Sequence, residues 1–208
     1  MKRLALFITL SLAGASAAES PAVVDANGAI LGSYIGSTGP RYTGGVSVPT
    51  SMLDVISPTG YLFSVFQQSG DVANSFRVPG VQAEALWATL YFESADCTGQ
   101  AYVDTTQAPD VVVMGGFVFN RKSAVHPGLW FSPKTSVSTE ISLGSAVSPN
   151  LGNVCFADSG QRNALPVYPN DPQVTGVNSA SNPGPITISQ ANVPRVLFRD
   201  SFEQRQVS

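Results

Sequence analysis

The sequence predicts an all-β fold, an antiparallel β-meander that forms either a sandwich or a partly open barrel. The 208-residue chain is 43% hydrophobic but only 12% charged, which argues against a wholly disordered chain. Short runs of β-forming residues alternate with turns that contain glycine. Residues 81–90 are the one segment with helix-forming composition, and Trp87 and Thr89 near its end favour a strand with at most a helical turn ahead.

Four segments share a hairpin layout, in which two apolar runs flank a turn. They are residues 23–32, 55–63, 90–103 and 111–119. In the first, Asn27-Gly28 lies between two apolar runs, which is the strongest short-range hairpin signal and predicts a two-residue type I′ turn. Their glycines are irregularly spaced, which predicts a meander and not a solenoid.

Further short strands are predicted where β-forming residues recur. Val137, Thr139 and Ile141 alternate with polar residues, as in a half-buried strand. The predicted segments are 46–49, 129–132, 136–143, 153–157, 186–189 and 195–198.

Residues 159–194 contain six prolines, which cannot donate hydrogen bonds to a central strand ladder. We therefore predict a β-rich domain over residues 19–160 and a proline-rich loop or linker over 161–194, extended at the surface between 167 and 185. A C-terminal edge strand and a frayed tail would follow over 195–208.

The amino end matches the three parts of a secretory signal peptide. Lys2 and Arg3 precede an apolar run over residues 4–12 and small residues over 14–18, with cleavage before Ala18 or Glu19. The alternative is a buried N-terminal helix. The pattern predicts a secreted or periplasmic protein. The cleavage point has no cysteine, so nothing indicates a lipid anchor. No segment has the length of a transmembrane helix.

Charge and cysteine content narrow the function classes. Without Lys2 and Arg3, 9 of the 11 basic residues remain against 14 acidic ones, so the formal charge falls from −3 to −5 and indicates no nucleic-acid partner. Cys97 and Cys155 predict a disulfide in an oxidising compartment. The alternative is two buried free thiols. The spacing is not C-x-x-C, and one histidine cannot complete a usual zinc site, so we predict no metal and no cofactor.

Two motifs resemble a group of small uncharacterised bacterial secreted proteins. Residues 24–32 resemble the pattern D-x-N-G-x-x-x-G of that group, and residues 90–99 resemble Y-x-S-x-D-C-x-G. Some relatives of the module lie beside collagen-like or tail-fibre-like segments. Residues 196–203 also resemble the ending I-F-x-D-G-F-E of some exported bacterial proteins, with Ser201 in place of glycine. The resemblance implies export and no particular activity.

Candidate chemistry is sparse. His126, the only histidine, precedes Pro127-Gly128 and is predicted to lie in a surface turn, although a Ser/His/Asp hydrolase would have to use it. A carboxylate pair could also hydrolyse glycosides, yet no pair stands out by spacing. The available carboxylates are Asp54, Glu84, Glu93, Asp96, Asp104, Asp110 and Glu140. Asp25-Ala26-Asn27-Gly28 has too few ligands for a calcium loop.

Aromatic residues are the better candidates for a site. Trp130, Trp87 and Tyr91 are the predicted ligand-binding residues, and Trp130 leads because it follows a loop. The alternative is that they fill the β core. We predict a non-catalytic binding, adhesion or structural module of the cell envelope or exterior, with a glycan or protein ligand. A secreted hydrolase that uses His126 or a carboxylate pair is the second possibility.

Overall fold

The computed structural model describes residues 20–38, 41–43, 46–48, 51–73, 89–105, 116–122, 124–148, 151–152 and 154–193. These residues form thirteen strands and one short helix. The elements are β1 Ser20–Val24, β2 Ile30–Thr38, β3 Arg41–Thr43, β4 Val46–Val48, β5 Met52–Ile56, β6 Leu62–Phe66, β7 Leu90–Phe92, β8 Ala101–Asp104, β9 Phe117–Arg121, β10 Gly128–Ser132, β11 Thr139–Val147, β12 Cys155–Pro169, α1 Pro172–Thr175 and β13 Thr187–Val193.

The all-β prediction is confirmed, and eleven of the strands belong to one mixed sheet. Their order is β11-β7-β8-β12-β10-β9-β6-β5-β2-β1-β13, while β3 and β4 form a separate pair. Four neighbouring pairs are consecutive antiparallel strands, as in a meander: β1–β2, β5–β6, β7–β8 and β9–β10. The other neighbours are farther apart along the chain, and β6 and β9 are parallel. The strand β11 also pairs with β12, so β7, β8, β12 and β11 form a closed circuit of pairings. The sequence was compatible with either a sandwich or a partly open barrel. The structure has one large sheet of eleven strands.

Two hydrophobic cores lie on opposite faces of the sheet and meet at β9 and β10. Neighbouring side chains of a strand point to opposite faces. Phe119 and Trp130 accordingly join the first core, whereas Val118 and Phe131 join the second. The first core comprises Leu90, Phe92, Cys97, Ala101, Val103, Phe117, Phe119, Trp130, Val147, Leu165 and Val167. The second comprises Val23, Leu53, Val55, Tyr61, Phe63, Val65, Val72, Val118, Phe131, Val177 and Ile186.

The hairpin at Asn27-Gly28 is confirmed, but its turn is not type I′. A type I′ turn needs positive φ at both central residues. Gly28 has a φ of 81°, whereas Asn27 is not among the described residues with positive φ. The Asp25 carboxylate accepts hydrogen bonds from the amides of Asn27 and Ala29 at 2.9 and 2.8 Å. This side chain favours a three-residue loop that ends in a left-handed glycine.

The predicted hairpins over residues 55–63 and 90–103 are also confirmed. In the former, the amide of Gly60 donates to the carbonyl of Ser57 at 2.8 Å, and Gly60 has a φ of 83°. In the latter, Tyr91 of β7 pairs with Tyr102 of β8. The predicted segments 46–49, 129–132, 136–143, 153–157 and 186–189 overlap, in order, β4, β10, the start of β11, the start of β12 and the start of β13. The strand β11 begins three residues later than predicted and extends to Val147.

The predicted boundary at residue 160 is wrong, because β12 runs from Cys155 to Pro169. Proline lacks the amide donor but keeps its carbonyl, and the Ser132 hydroxyl donates to the Pro166 carbonyl at 3.0 Å. Pro166 thus sits in the strand opposite Tyr102. The strand β13 occupies residues 187–193, so the loop between β12 and β13 is only 170–186.

Most residues of this loop are at the surface, as predicted, but it is not a free linker, because two of its side chains pack on the second core. Val177 and Ile186 are buried there. The amide of Ile186 donates to the carbonyl of Gln67 at 2.7 Å, which holds the loop against the turn after β6. At Gly70, a Cβ atom would lie 1.9 Å from the carbonyl oxygen of Asn182, so the close approach requires glycine.

The predicted disulfide joins Cys97 to Cys155, with sulfur atoms 2.16 Å apart and Cα atoms 5.9 Å apart. The side chain of Cys97 belongs to the first core, whereas Cys155 is exposed at the start of β12. The bridge fastens the loop between β7 and β8 to β12, across a sequence separation of 58 residues.

Several predictions lie outside the described residues. These are the signal peptide and residue Trp87, most of the segment 81–90, the first half of the hairpin over 111–119, and the strand over 195–198. Within the described part of the chain, no helix is long and apolar enough to cross a membrane.

We expect replacement of both cysteines by alanine to lower the free energy of unfolding by about 4 kcal/mol, because the unfolded chain regains the conformations that a loop of this length excludes. Urea unfolding followed by circular dichroism measures the change. The reduced wild-type protein is the matched control and should show the same loss, while the double variant should not respond to reductant. Equal stability of oxidised and reduced wild-type protein would contradict this expectation.

Candidate functional site

Three tyrosines on neighbouring strands form a row on one face of the sheet. Tyr91 on β7 pairs directly with Tyr102 on β8, and Tyr102 pairs with Pro166 on β12. Tyr168 lies two residues after Pro166 and therefore points to the same face. Tyr168 also pairs with Phe131 on β10, with ring centroids 6.1 Å apart. We call Tyr91, Tyr102 and Tyr168 the tyrosine row.

The tyrosine row is accessible because the first core covers β7, β8 and β12 fully on the opposite face of the sheet, whereas the face of the row is only partly covered. Phe92, Val103 and Leu165 point into the first core. On the face of the row, a smaller cluster of Ile141, Leu143 and Ala164 packs against Tyr91 and Tyr102. Exposure increases outward from that cluster: Tyr91 and Tyr102 are half-buried, and Tyr168 is 40% exposed.

An arginine closes the inner end of the row. The guanidinium carbon of Arg162 lies 5.1 Å from the ring centroid of Tyr91, a cation–π contact. The same guanidinium donates through Nη1 to Oδ2 of Asp104 at 2.9 Å. Arg162 lies on β12, two residues before Ala164, so the alternation 162, 164, 166, 168 places it on the face of the row.

Burial raises the pKa of Tyr91 above its usual value of 10.0. The positive charge of Arg162 lowers the pKa, while the carboxylates of Asp104 and Asp158 raise it. Its phenol is therefore neutral at physiological pH and can donate a hydrogen bond.

Tyr102 is paired with a second carboxylate. Its hydroxyl donates to Oε2 of Glu93 at 3.2 Å. Burial raises the pKa of Tyr102, and Glu93 raises it further through its charge and this hydrogen bond. The charge of Tyr168 also raises the pKa of Tyr102. Tyr168 follows Pro166, the partner of Tyr102, by two residues, so the two tyrosines are diagonal neighbours on one face.

The loop between β7 and β8 carries Glu93 and is held by a dense set of hydrogen bonds. The Ser145 hydroxyl donates to the carbonyl of Ser94 at 2.6 Å and accepts from the amide of Cys97 at 2.9 Å. A Cβ atom at Gly144 would lie 2.5 Å from the carbonyl oxygens of Glu93 and Ser94. This close backbone approach fixes the loop against β11.

Trp130 does not present its indole to a ligand. It is only 7% exposed in the first core, and its Nε1 donates to the carbonyl of His126 at 3.2 Å. The alternative that the aromatics fill the core therefore holds for Trp130. Of the three predicted ligand-binding residues, Tyr91 lies in the row and Trp87 lies outside the described residues.

His126 serves a structural role in the described contacts. Its Nε2 lies 3.0 Å from the carbonyl oxygen of Cys97, and its ring packs between Phe92 and Trp130 at centroid distances of 5.3 and 5.9 Å. His126, with a backbone φ of 55°, lies in the connection between β9 and β10 as predicted, but it is half-buried. The hydrogen bond to a backbone carbonyl is not the Ser/Asp pairing that a hydrolase triad needs.

Arg121 is a buried cation that the sequence did not reveal. Its side chain is 1% exposed at the end of β9, and its Nη2 lies 3.4 Å from the carbonyl oxygen of Val147. Desolvation lowers its pKa to about 10, so the guanidinium stays charged at neutral pH. Among the residues that the structure describes, no three His, Cys, Asp or Glu side chains gather in a group that could hold a metal ion.

Comparison of the chain with protein-family models, with curated proteins and with solved structures finds no match. The resemblance of residues 24–32 and 90–99 to small bacterial secreted proteins therefore stays a prediction.

We expect Gly144→Ala to lower the free energy of unfolding by about 1–3 kcal/mol, because the new methyl group overlaps backbone atoms of the loop that carries Glu93. Ser142→Ala, at an exposed position of the same strand, is the control and should change stability little. Urea unfolding of both variants measures the difference. Equal stability of the two variants would show that the loop moves aside without cost.

We expect Arg162→Gln to raise the pKa of Tyr91 further, because the variant removes the positive charge beside the phenol. Arg162→Lys keeps a charge there and should raise the pKa less. Titration of ¹³C-labelled tyrosine by NMR measures both values, with the Tyr91→Phe spectrum assigning the signal. A pKa that falls in Arg162→Gln would refute the described contact.

The raised pKa of Tyr91 in the folded protein sets the sign of the pH dependence of the free energy of unfolding. Since the folded-state pKa of Tyr91 is raised, its contribution to stability is complete below pH 10.0 and is lost as the pH rises through the folded-state pKa.

Proposed function

We propose that this chain is an exported, non-catalytic binding domain whose ligand lies across the tyrosine row. The observation that carries the proposal is the placement of Tyr91, Tyr102 and Tyr168 on three neighbouring strands of one face. Tyrosine combines a large rigid apolar surface with a hydrogen-bonding hydroxyl, which suits recognition at a half-wet surface.

The dimensions of the row favour an extended ligand. Directly paired residues such as Tyr91 and Tyr102 have Cβ atoms about 5 Å apart, and diagonal neighbours such as Tyr102 and Tyr168 are separated by about 7–8 Å. The three rings therefore span roughly 12 Å across the strands. An extended polymer, a peptide or a glycan chain, can lie across Tyr102 and Tyr168 and reach the edge of Tyr91, whose ring is covered by Arg162.

Export is supported by the signal-peptide pattern of residues 1–18 and by the cysteine pair. Disulfides form and persist in oxidising compartments such as the periplasm and the cell exterior. The Cys97–Cys155 bridge anchors the loop that positions Glu93 beside the row. A secreted or periplasmic binding, adhesion or structural module fits both features.

The hydrolase alternative gains no support from the described residues. The His126 ring is bonded to a backbone carbonyl and packed between two aromatic rings. Asp104 is paired with Arg162, and Glu93 accepts a hydrogen bond from Tyr102. These contacts favour carboxylates that bind and orient over a pair that transfers protons.

We expect Tyr168→Ala and Tyr102→Ala to reduce ligand capture by about tenfold or more, because truncation of a central interface tyrosine typically costs at least 1–2 kcal/mol. A glycan and peptide array probed with the purified mature protein measures the loss. Ile188→Ala is the matched control, since Ile188 is a similarly exposed apolar residue on the distant strand β13.

Binding that is equal in all variants would place the ligand elsewhere on the protein. An array on which the wild-type protein captures nothing would end the binding proposal.

A further inference from the structure

The row contains two tyrosine–carboxylate pairs with related chemistry. Tyr91 is flanked by Asp104, and Tyr102 is flanked by Glu93. The two tyrosines pair directly across β7 and β8, so the two sites lie side by side.

The first pair shows how this surface holds a guanidinium. Arg162 places its guanidinium carbon 5.1 Å from the Tyr91 ring centroid and donates to Asp104 at 2.9 Å. A planar guanidinium can stack on an aromatic face and pair with a carboxylate at the same time, which a compact ammonium does less well. The combination of ring and carboxylate is thus an arginine site that the chain fills with its own side chain.

The second pair has the same composition and is more open to solvent. Glu93 is exposed, and the hydrogen bond from the Tyr102 hydroxyl holds its carboxylate at the edge of the ring. Among the described residues, the cation–π contacts place Arg162 over Tyr91 and Lys134 over Tyr61, and neither cation lies over Tyr102.

The local charge favours a cationic ligand. The carboxylate of Asp104 is paired with Arg162, and the exposed carboxylate of Glu93 adds a second negative charge beside Tyr102. An excess of carboxylates beside electron-rich rings attracts cations and repels anions. Tyr168, the most exposed ring, lies next to Tyr102 and can pack against the residues that flank such a cation.

We propose that Tyr102 and Glu93 bind the guanidinium of an arginine side chain, carried by an extended segment of a partner protein. This inference rests on the proposed function of the tyrosine row and names its ligand class. The arginine stacks on the Tyr102 ring and pairs with the Glu93 carboxylate, as Arg162 does with Tyr91 and Asp104. Its neighbours in the extended segment lie across Tyr168.

The test uses two labelled peptides and the full mature protein. The first is a short proline-rich peptide that carries arginines, because proline keeps the segment extended. The second has each arginine replaced by citrulline, which has nearly the same shape and no charge. Fluorescence anisotropy at low ionic strength should show the arginine peptide binding about tenfold more tightly than the citrulline peptide.

Variants then assign the preference to the second pair. E93Q should remove most of the preference for arginine, because it weakens binding of the charged peptide more than binding of the citrulline peptide. E140Q is the matched control, because Glu140 is an exposed carboxylate on β11 and its removal changes the net charge equally. Thermal unfolding of both variants confirms that the fold is retained.

Each outcome is decisive. Equal affinity for the two peptides, or equal effects of E93Q and E140Q, would overturn the arginine site. If the two peptides bound equally well and both lost affinity in Tyr168→Ala, the arginine site would be rejected and the proposed function of the tyrosine row would stand. Failure of both peptides, with capture of a glycan that depends on Tyr168, would reject the arginine ligand and keep the row as a binding surface.

Discussion

The strands β9 and β10 are the constraint on which the rest of the sheet depends, because they are buried on both faces. Phe119 and Trp130 belong to one core, while Val118 and Phe131 belong to the other. A long sheet that carries its cores on opposite faces holds together only where the two cores overlap, since each half otherwise has an uncovered face. All five residues of β9 are buried, including Arg121, whose guanidinium approaches the Val147 carbonyl at the end of β11.

This arrangement also explains where a binding surface can form. Beyond β10 the first core continues under β7, β8 and β12, but the second core ends at Phe131. The face that the second core no longer covers begins at Tyr168, which contacts Phe131, and continues through Tyr102 to Tyr91. The row therefore lies between the second core and the cluster of Ile141, Leu143 and Ala164, and Tyr168 is its most exposed ring. Tyrosine suits this partly wet position because its hydroxyl can remain in contact with water.

Local signals predicted the hairpins well, whereas long-range contacts decided the site. The loops at Asp25 and Ser57 depend on side chains and glycines within a few residues, so their patterns are legible in the sequence. Arg162 and Tyr91 are far apart along the chain and meet only because β12 continues past the predicted boundary at residue 160. The prolines hid that strand, since Pro166 lacks a donor yet retains a carbonyl that Ser132 uses. Trp130 followed a loop as predicted, but its place at the overlap of the cores depends on packing that no local pattern records.

The chain has few charged residues, and several of its carboxylates are engaged in structural contacts. Asp25 and Asp96 accept hydrogen bonds within turns, Asp171 caps the short helix, and Asp71 pairs with Lys122. The contacts of Asp25, Asp96 and Asp171 are local, whereas the pair of Asp71 with Lys122 joins distant parts of the chain. Hydrogen bonds lower the pKa values of Asp71 and Asp96. A general acid needs the opposite, a carboxyl whose pKa is raised toward neutrality. The carboxylates beside the tyrosine row are engaged by a phenol and a guanidinium, which is the chemistry of recognition. These contacts support the proposed binding surface.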